Sequence, residues 1–297
     1  MSSIRVNPYP MPDLLAALGN LQQQQNTATL EMGSGTTVNK PSDNPAAAAQ
    51  MVEIENASSQ NDSYQQSIGS INGQLSTADS TLSSVVTVLQ RAISLGVEGA
   101  NGTLSDSDRA AISAELSGIQ KQLIGLANTT YQGQYLFAGT AEVEPYVADP
   151  NSTSGVSYHG NIGTNFVSIG SGYQVQVNLP GSQIFNAPGA DVFQSINDLI
   201  TALDNNNGAG DAVAEVTNAY NCVTQQRVFY GNAMNQAQSQ QAFLSSEKIN
   251  LSQQENTVAG ADMAAVASQL ASDETAINAT LDAIGKMPKN SLFDYLK

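Results

Sequence analysis

A run of apolar residues spaced four and three apart constrains the fold of this chain more than any other feature. The run continues without a slip through Tyr64, Ile68, Ile71, Leu75, Ala78, Leu82, Val85, Leu89 and Ala92. This spacing places apolar side chains along one face of a helix and is typical of coiled coils. At 1.5 Å per residue this stretch forms a helix about 45 Å long. The sequence therefore predicts a long helix that packs against a second one.

The same spacing returns after a turn. Asn101 and Gly102 predict the turn, and Ser105 with Asp108 predicts an acidic capping box at the start of the next helix. The apolar residues that follow are Ile112, Leu116, Ile119, Leu123 and Leu126. The two segments together predict a pair of long antiparallel helices.

Both ends of the chain carry narrower apolar stripes. The first comprises Met11, Leu14, Leu18, Leu21, Ala28 and Met32, and Gln25 is its only break. The second lies in a last helix that we expect to run from about 211 towards 285, and it comprises Met263, Leu270, Ile277 and Ile284, each seven residues apart. Asp273 and Glu274 in this helix predict a solvated face or a charge pair between subunits.

Stripes this thin cannot build a core alone, so we expect them to pair with each other or with neighbouring subunits. An apolar tail follows the last helix. The predicted assembly interface comprises Leu14, Leu18, Leu21, Met32, Met263, Leu270, Ile277, Ile284, Leu292, Phe293 and Leu296.

Alternation replaces the helical spacing in the middle of the chain. Tyr173, Val175, Val177 and Leu179 alternate with polar residues, as in a half-buried strand. Residues 156–158 and 166–169 are weaker strand candidates. We interpret this region as a surface insertion that contributes nothing to the helical seams.

These patterns predict a mostly α fold, with long antiparallel coiled-coil helices from both chain ends and a small β-rich inserted domain, α+β overall. The predicted domains are a terminal-helix segment, the two halves of a helical rod on either side of the insertion, and a C-terminal helix with its tail. In chain order they cover residues 1–44, 45–140, 141–189, 190–262 and 263–297. We expect the first and last to be mobile in the free monomer, because their stripes lack subunit neighbours.

Composition excludes several classes of function. The 297 residues carry 10 Lys and Arg against 26 Asp and Glu, a formal charge of −16 that opposes binding to nucleic acid or to an anionic membrane. One Cys and one His disfavour disulfide frameworks, His/Cys metal clusters and most pairs of nucleophile and base. No apolar run approaches the roughly 18 residues of a membrane-spanning helix, and the start lacks a Sec-type signal. We therefore predict no enzyme activity, no cofactor and no membrane insertion.

Individual polar residues do not alter this interpretation. His159 is expected in solvent or in a turn, and Cys222 is expected to be a small buried or interfacial thiol. A glycosidase working with carboxylates alone would have only Glu142, Glu144 and Asp149 in the insertion.

Five short segments, taken in order, resemble the hook-filament junction proteins of the bacterial flagellum, which are the hook-associated protein 3 family of flagellin-like proteins. They are VNKPSDNPAAA at 38–48, GTLSDSDR at 102–109, YLFAG at 135–139, YHGN at 158–161 and SLFDYL at 291–296. The resemblance spans nearly the whole chain. It implies an extracellular structural adaptor that is exported unfolded by the flagellar type III apparatus.

The resemblance also implies partners. They are the first hook-associated protein, flagellin, an export chaperone, and further copies of the chain in a ring. Two alternatives stay open, namely flagellin itself and a coiled-coil surface adhesin. Lys40-Pro41 and Asn44-Pro45 in the loop after the first stripe, together with the ending Phe293-Asp294-Tyr295-Leu296, favour the junction protein over flagellin.

Overall fold

The computed structural model describes residues 11–286, and helices dominate this part of the chain. It forms α1 Met11–Ser34, α2 Pro45–Gly99, α3 Asp106–Ala127, α4 Gly181–Ile184, α5 Val192–Asp204, α6 Ala209–Ala259 and α7 Met263–Gly285. The prediction of a mostly α fold with a small β-rich part is confirmed.

Short strands occupy the region between α3 and α5. They pair in antiparallel twos: β1 Thr130–Tyr131 with β2 Gln134–Tyr135, β3 Tyr146–Ala148 with β4 Val156–Tyr158, β5 Phe166–Gly170 with β6 Tyr173–Gln176, and β7 Asn186–Ala187 with β8 Ala190–Asp191. The three strands predicted from alternation are therefore present, although the last ends at Gln176. Val175 is paired with Val167, and its side chain is buried as the alternation predicts.

Contacts divide the described residues into two compact units. One consists of residues 61–246, and the other combines the described residues up to 60 with those from 247 onward. The first unit contains α3 to α5 and all eight strands, and the second contains α1 and α7.

The four-three seam forms the core of the 61–246 unit. In α2 every seam position from Ile68 to Ala92 is buried. Three further sets of core residues come from α3, α5 and α6: Ile112, Leu116, Ile119 and Leu123; Val192, Ile196, Leu199 and Leu203; Val216, Ala219 and Val223. The four-three spacing predicted for this unit is confirmed, because each predicted apolar stripe is covered by another apolar stripe.

Helix starts follow the predicted caps. The Ser105 hydroxyl accepts a hydrogen bond from the Asp108 amide at 3.2 Å and donates one to its carboxylate at 2.6 Å. At the start of α2, Asn44 Oδ1 accepts from the Ala47 amide at 3.1 Å, and Pro45 is the first helical residue. Each cap satisfies amides that have no partner within their own helix.

The β-rich region shares the core of the helices, so the expectation of a surface insertion that adds nothing to the helical body is wrong. The ring of Tyr146 lies 5.0 Å from that of Phe193 on α5, and the amide of Leu179 donates to the hydroxyl of Tyr230 on α6 at 3.3 Å. Val175 belongs to the same buried cluster. Strand pairs this small bury too little apolar surface by themselves, and they gain it by packing on the helices.

Two of the five segments that carry the family resemblance meet in this unit. The Asn161 amide donates to the carbonyl of Ala138 at 3.0 Å, and Asn161 Oδ1 accepts from the Thr140 amide at 2.9 Å. Between them Gly139 has a φ of +75°, and a Cβ there would lie 2.3 Å from the Asn161 carbonyl oxygen. Only glycine therefore fits this crossing of the two segments.

Candidate assembly surface

The single helix predicted from 211 to 285 is broken, so that prediction is wrong. It stops at Ala259, where the carbonyl oxygen accepts from the Thr37 amide at 2.7 Å. The Ala261 amide then donates to the Gly35 carbonyl at 3.0 Å. This short antiparallel bridge joins the end of α1 to the start of α7, a contact between distant parts of the chain that helical periodicity does not report.

Local residues make the break possible. A Cβ on Gly260 would lie 2.3 Å from the backbone oxygen of Asn256, so a larger residue does not fit without a shift. Asp262 then begins the next helix, since its Oδ1 accepts from the amides of Ala264 at 3.0 Å and Ala265 at 3.1 Å. The apolar stripe predicted to begin at Met263 thus starts together with this new helix.

The α1 stripe is the face that the helix turns toward α7. At the four-three spacing its half-buried or buried members are Leu14, Leu18, Leu21, Gln25, Ala28 and Met32, and Glu31 beside them is also half-buried. The structure thus brings four of the predicted interface residues together on one face. Because the bridge joins the end of one helix to the start of the other, α1 and α7 run antiparallel. The stripes pair with each other within one chain, which is one of the two arrangements that the sequence left open.

The α7 stripe contains residues that sequence reasoning missed. At the same four-three spacing its half-buried or buried members are Val266, Leu270, Asp273, Ile277, Thr280 and Ile284, and Ala276 beside them is also half-buried. Met263 lies outside this stripe and is 45% exposed. The spacing of seven identified every second position only, because Asp273 and Thr280 are polar and Val266 lies three residues after Met263, outside a period of seven. Asp273 is only 2% exposed, so the prediction that it belongs to a solvated face is wrong.

Large apolar side chains also remain exposed on this helix pair. Their exposed fractions lie between 41% and 54%, and they are Met11, Leu15, Leu30, Met263 and Leu281. Single exposed apolar side chains are common on protein surfaces, whereas a contiguous patch of them marks an interface. The predicted interface residues Leu292, Phe293 and Leu296 lie outside the described residues.

Other kinds of site find little support between residues 11 and 286. That part of the chain contains no group of three His, Cys, Asp or Glu side chains arranged to hold a metal ion. None of its helices is both long and apolar enough to cross a bilayer. The glycosidase candidate Asp149 has a turn-forming role, since its carboxylate accepts from the Ser157 hydroxyl at 2.6 Å and from the Asn151 amide at 3.0 Å. These hydrogen bonds lower the pKa of Asp149, whereas a general acid needs a raised one.

Comparison with known proteins gives consistent results. A model of the bacterial flagellin N-terminal helical region matches residues 11–142. Flagellar hook-associated protein 3 of Escherichia coli is 28% identical over 294 residues, which cover 90% of this chain and 91% of that protein. The corresponding protein of Salmonella typhimurium is 35% identical over 175 residues, 58% of this chain and 54% of that protein. The chain thus spans about half the length of the Salmonella relative in that alignment. Flagellin of Listeria monocytogenes is 34% identical over 99 residues, about a third of each chain.

Solved structures share the fold. A flagellar hook-associated protein from Vibrio parahaemolyticus superposes with a TM-score of 0.67 at 22% identity, covering 73% of this chain and all of that one. FlgL of Bacillus cereus superposes with a TM-score of 0.59 at 23% identity, covering 69% of this chain and 99% of that one. Roughly seven tenths of this chain therefore shares its fold with proteins of known structure.

Proposed function

We propose that this chain, a homologue of the flagellar hook-associated protein 3 proteins as its sequence resemblance predicted, is a structural adaptor that joins the hook of the flagellum to the filament. The observation that carries the proposal is the alignment with the Escherichia coli protein, which runs along 90% of this chain. The match to flagellin of Listeria monocytogenes covers only a third of the chain.

Assembly proceeds through the α1–α7 pair. Its inner face is closed within one chain, while Leu15, Leu30 and Leu281 stay in contact with water. Burying such side chains against neighbouring copies removes apolar surface from water, which favours association by about 25 cal/mol per Å². The partners would be further copies in a ring, the first hook-associated protein and flagellin, and the predicted interface residues would act together with these exposed ones.

Export unfolded through the flagellar type III apparatus, with the help of a chaperone, fits the composition. The single Cys222 leaves no disulfide that would have to form or open. In the unit that contains α1 and α7, the described buried apolar side chains are only Ala28, Ala47, Ile54, Leu251, Ala259 and Val266. Such a unit can be threaded unfolded and gain order late, because binding to neighbours offsets the entropy of ordering. The mature protein would then be extracellular.

Complementation tests this function. In the source bacterium with its own gene deleted, the natural chain should restore filaments and swimming. Leu15→Asp with Leu281→Asp should fold but leave hooks without filaments, because the charges would be buried between subunits. Ile162→Asp is the matched control, since Ile162 is 79% exposed in the other unit, and it should restore filaments. Normal filaments with the double variant would contradict assembly through this surface.

Flagellin is the second candidate, because the matching family model describes a flagellin N-terminal region. The two functions differ in copy number. A junction adaptor should amount to a small, constant number of chains per hook, whatever the filament length. Quantitative mass spectrometry of intact flagella, before and after shearing to different lengths, separates them. An amount that scales with filament length would favour flagellin.

A further inference from the structure

A buried carboxylate with one unsatisfied oxygen lies in the middle of the α1–α7 pair. Asp273 is 2% exposed, and its Oδ1 accepts a hydrogen bond from Gln269 Nε2 at 2.8 Å. Its Oδ2 is buried and finds no hydrogen-bond partner among the residues that the structure describes. A buried carboxylate oxygen without a donor destabilises a fold. Leucine at this position would strengthen the pair, so the aspartate needs another explanation.

Each residue of the α1 stripe lies opposite one residue of the α7 stripe, and we call each such pair a level. Running in opposite directions, both repeat the spacing four, three, four, three, four, from 14 to 32 on α1 and from 266 to 284 on α7. The bridge of Thr36 with Gly260 sets the level at which the two helices meet, and Gln269 lines a surface depression together with α1 residues between 20 and 31. The matching then puts Asp273 at the level of Gln25, the one polar residue of the α1 stripe. Each stripe has one position occupied by an amide or a carboxylate, Gln25 on α1 and Asp273 on α7. These two positions therefore lie in the same layer.

We propose that Asp273 and Gln25 form a polar layer that sets the register of α1 against α7. A slip of one heptad keeps most apolar contacts, but it places the Asp273 carboxylate against Leu18 or Met32. Neither side chain can donate a hydrogen bond. In the observed register the carboxamide of Gln25 is within the same layer, and a polar residue at one core position is known to select register in coiled coils at a cost in stability.

The register of α1 against α7 also sets the relative positions of their exposed apolar side chains. A slip of one heptad moves one helix along the other by about 10 Å. Leu15 and Leu30 on α1 would then be displaced relative to Leu281 on α7. The importance of this displacement for neighbouring subunits rests on the proposed function, whereas the register itself does not.

Disulfide trapping in the full chain tests the proposal, with Cys222 first replaced by alanine. Leu21→Cys with Ile277→Cys reports the observed register, because the level matching places these residues opposite each other. Leu21→Cys with Leu270→Cys, or with Ile284→Cys, reports a slip of one heptad in either direction. With Asp273 intact, the first pair should oxidise at least about tenfold more completely than either slipped pair, because only the observed register places a donor, the Gln25 carboxamide, in the layer of the carboxylate.

Substitutions at the layer should remove this selectivity. With Asp273→Leu, or with Gln25→Leu, the slipped pairs should oxidise to within about threefold of the first pair, a difference that corresponds to a nearly balanced equilibrium. Asp273→Asn keeps a polar side chain and should keep the selectivity. Glu274→Leu removes an exposed charge one residue away and is the matched control that should change nothing.

Three outcomes overturn the proposal. The first is full selectivity in both leucine variants, which would show that the layer does not set the register. The second is an equal loss of selectivity in Glu274→Leu, which would point to charge in general. The third is the absence of any disulfide in both leucine variants, because leucine should strengthen the pairing. The flagellar role does not enter this experiment, so its failure is distinguishable from failure of the proposed function.

Discussion

Arg227 on α6 makes two hydrogen bonds to Asp79 on α2, from Nε to Oδ1 at 2.9 Å and from Nη2 to Oδ2 at 3.1 Å. Arg227 ends a stretch without Lys or Arg that begins after Lys121. The hydrogen bonds to the Asp79 carboxylate raise the pKa of Arg227. Both side chains are about 30% exposed. This bidentate pair ties two long helices together within the 61–246 unit.

Breaking this pair should destabilise the unit modestly. Asp79→Asn and Arg227→Met should each lower the free energy of unfolding by about 1 kcal/mol, since a bidentate pair is stronger than a single contact but partial exposure weakens it. Thermal unfolding of the two single variants and the double variant, followed by circular dichroism, gives the coupling energy between Asp79 and Arg227. Arg91 and Glu115 are the control pair, at 2.8 Å but 57% and 46% exposed. Equal coupling in the two pairs would contradict the role assigned to burial.

Asn61 should behave as a buried hydrogen-bonding residue of the α2 seam. Its Nδ2 donates to the Leu244 carbonyl at 2.9 Å, and its Oδ1 accepts from Gln65 at 2.8 Å. Asn61→Ala should cost about 1–3 kcal/mol, because it removes a partner and leaves a gap. Asn56→Ala, at an exposed position of the same helix, should stay within about 0.5 kcal/mol. Similar losses in both variants would indicate helix propensity as the cause.

Alkaline pH should destabilise the protein through two tyrosines. Burial raises the pKa of Tyr146 and Tyr230, and the Tyr146 hydroxyl donates to Asn186 Oδ1 at 2.8 Å. A raised pKa in the folded state means that stability is complete below the unfolded value near pH 10 and is lost as pH rises above it. Phenolate absorbance should therefore show two tyrosines that ionise only on unfolding.

Matched variants check this assignment. Replacing Tyr146 and Tyr230 with phenylalanine should reduce the fall in thermal midpoint between pH 9 and about 11, where tyrosine normally titrates. Tyr173→Phe is the control, because Tyr173 is 43% exposed. The assignment fails if the two buried hydroxyls titrate together with exposed ones in the folded protein.

Removing the β-rich region should damage the helical unit. Deletion of 141–189, closed by a short Gly linker, removes Tyr146 and Phe185 from the core that contains Phe137 and Phe193. Loss of one large buried aromatic side chain costs about 3–5 kcal/mol, so losing two should abolish the cooperative thermal transition. Circular dichroism of the deleted chain checks this. Retention of the full helical signal and midpoint would restore the idea of a separable surface module.

Much of the fold could be predicted from the sequence because the four-three spacing of apolar residues determines which helix faces are buried. The seam from Ile68 to Ala92 is predicted residue by residue, since the four-three spacing fixes which side chains share the buried face of a long helix. The caps at Ser105 and Asn44 follow from side-chain chemistry that acts over three residues. The resemblance to the junction proteins follows from five short motifs, of which two meet at Ala138 and Asn161.

What the sequence could not supply depends on contacts between distant residues. The break at Gly260 needs the bridge to Thr36, a contact between distant residues that helical spacing does not report. Asp273 reads as a surface residue because buried carboxylates are rare. The shared core of Tyr146 and Phe193 could not be inferred from local alternation. The predicted domain boundaries and the mobility of the terminal segments stay predictions.

The position of the chain along the flagellum tests the central claim most directly. An epitope inserted between Ser171 and Gly172, in the exposed turn between β5 and β6, can be labelled with gold on intact flagella and imaged by electron microscopy, with the untagged strain as control. A junction adaptor predicts label confined to the boundary between hook and filament in every flagellum. Label distributed along the filament, or absent from flagella that have normal filaments, would contradict the account.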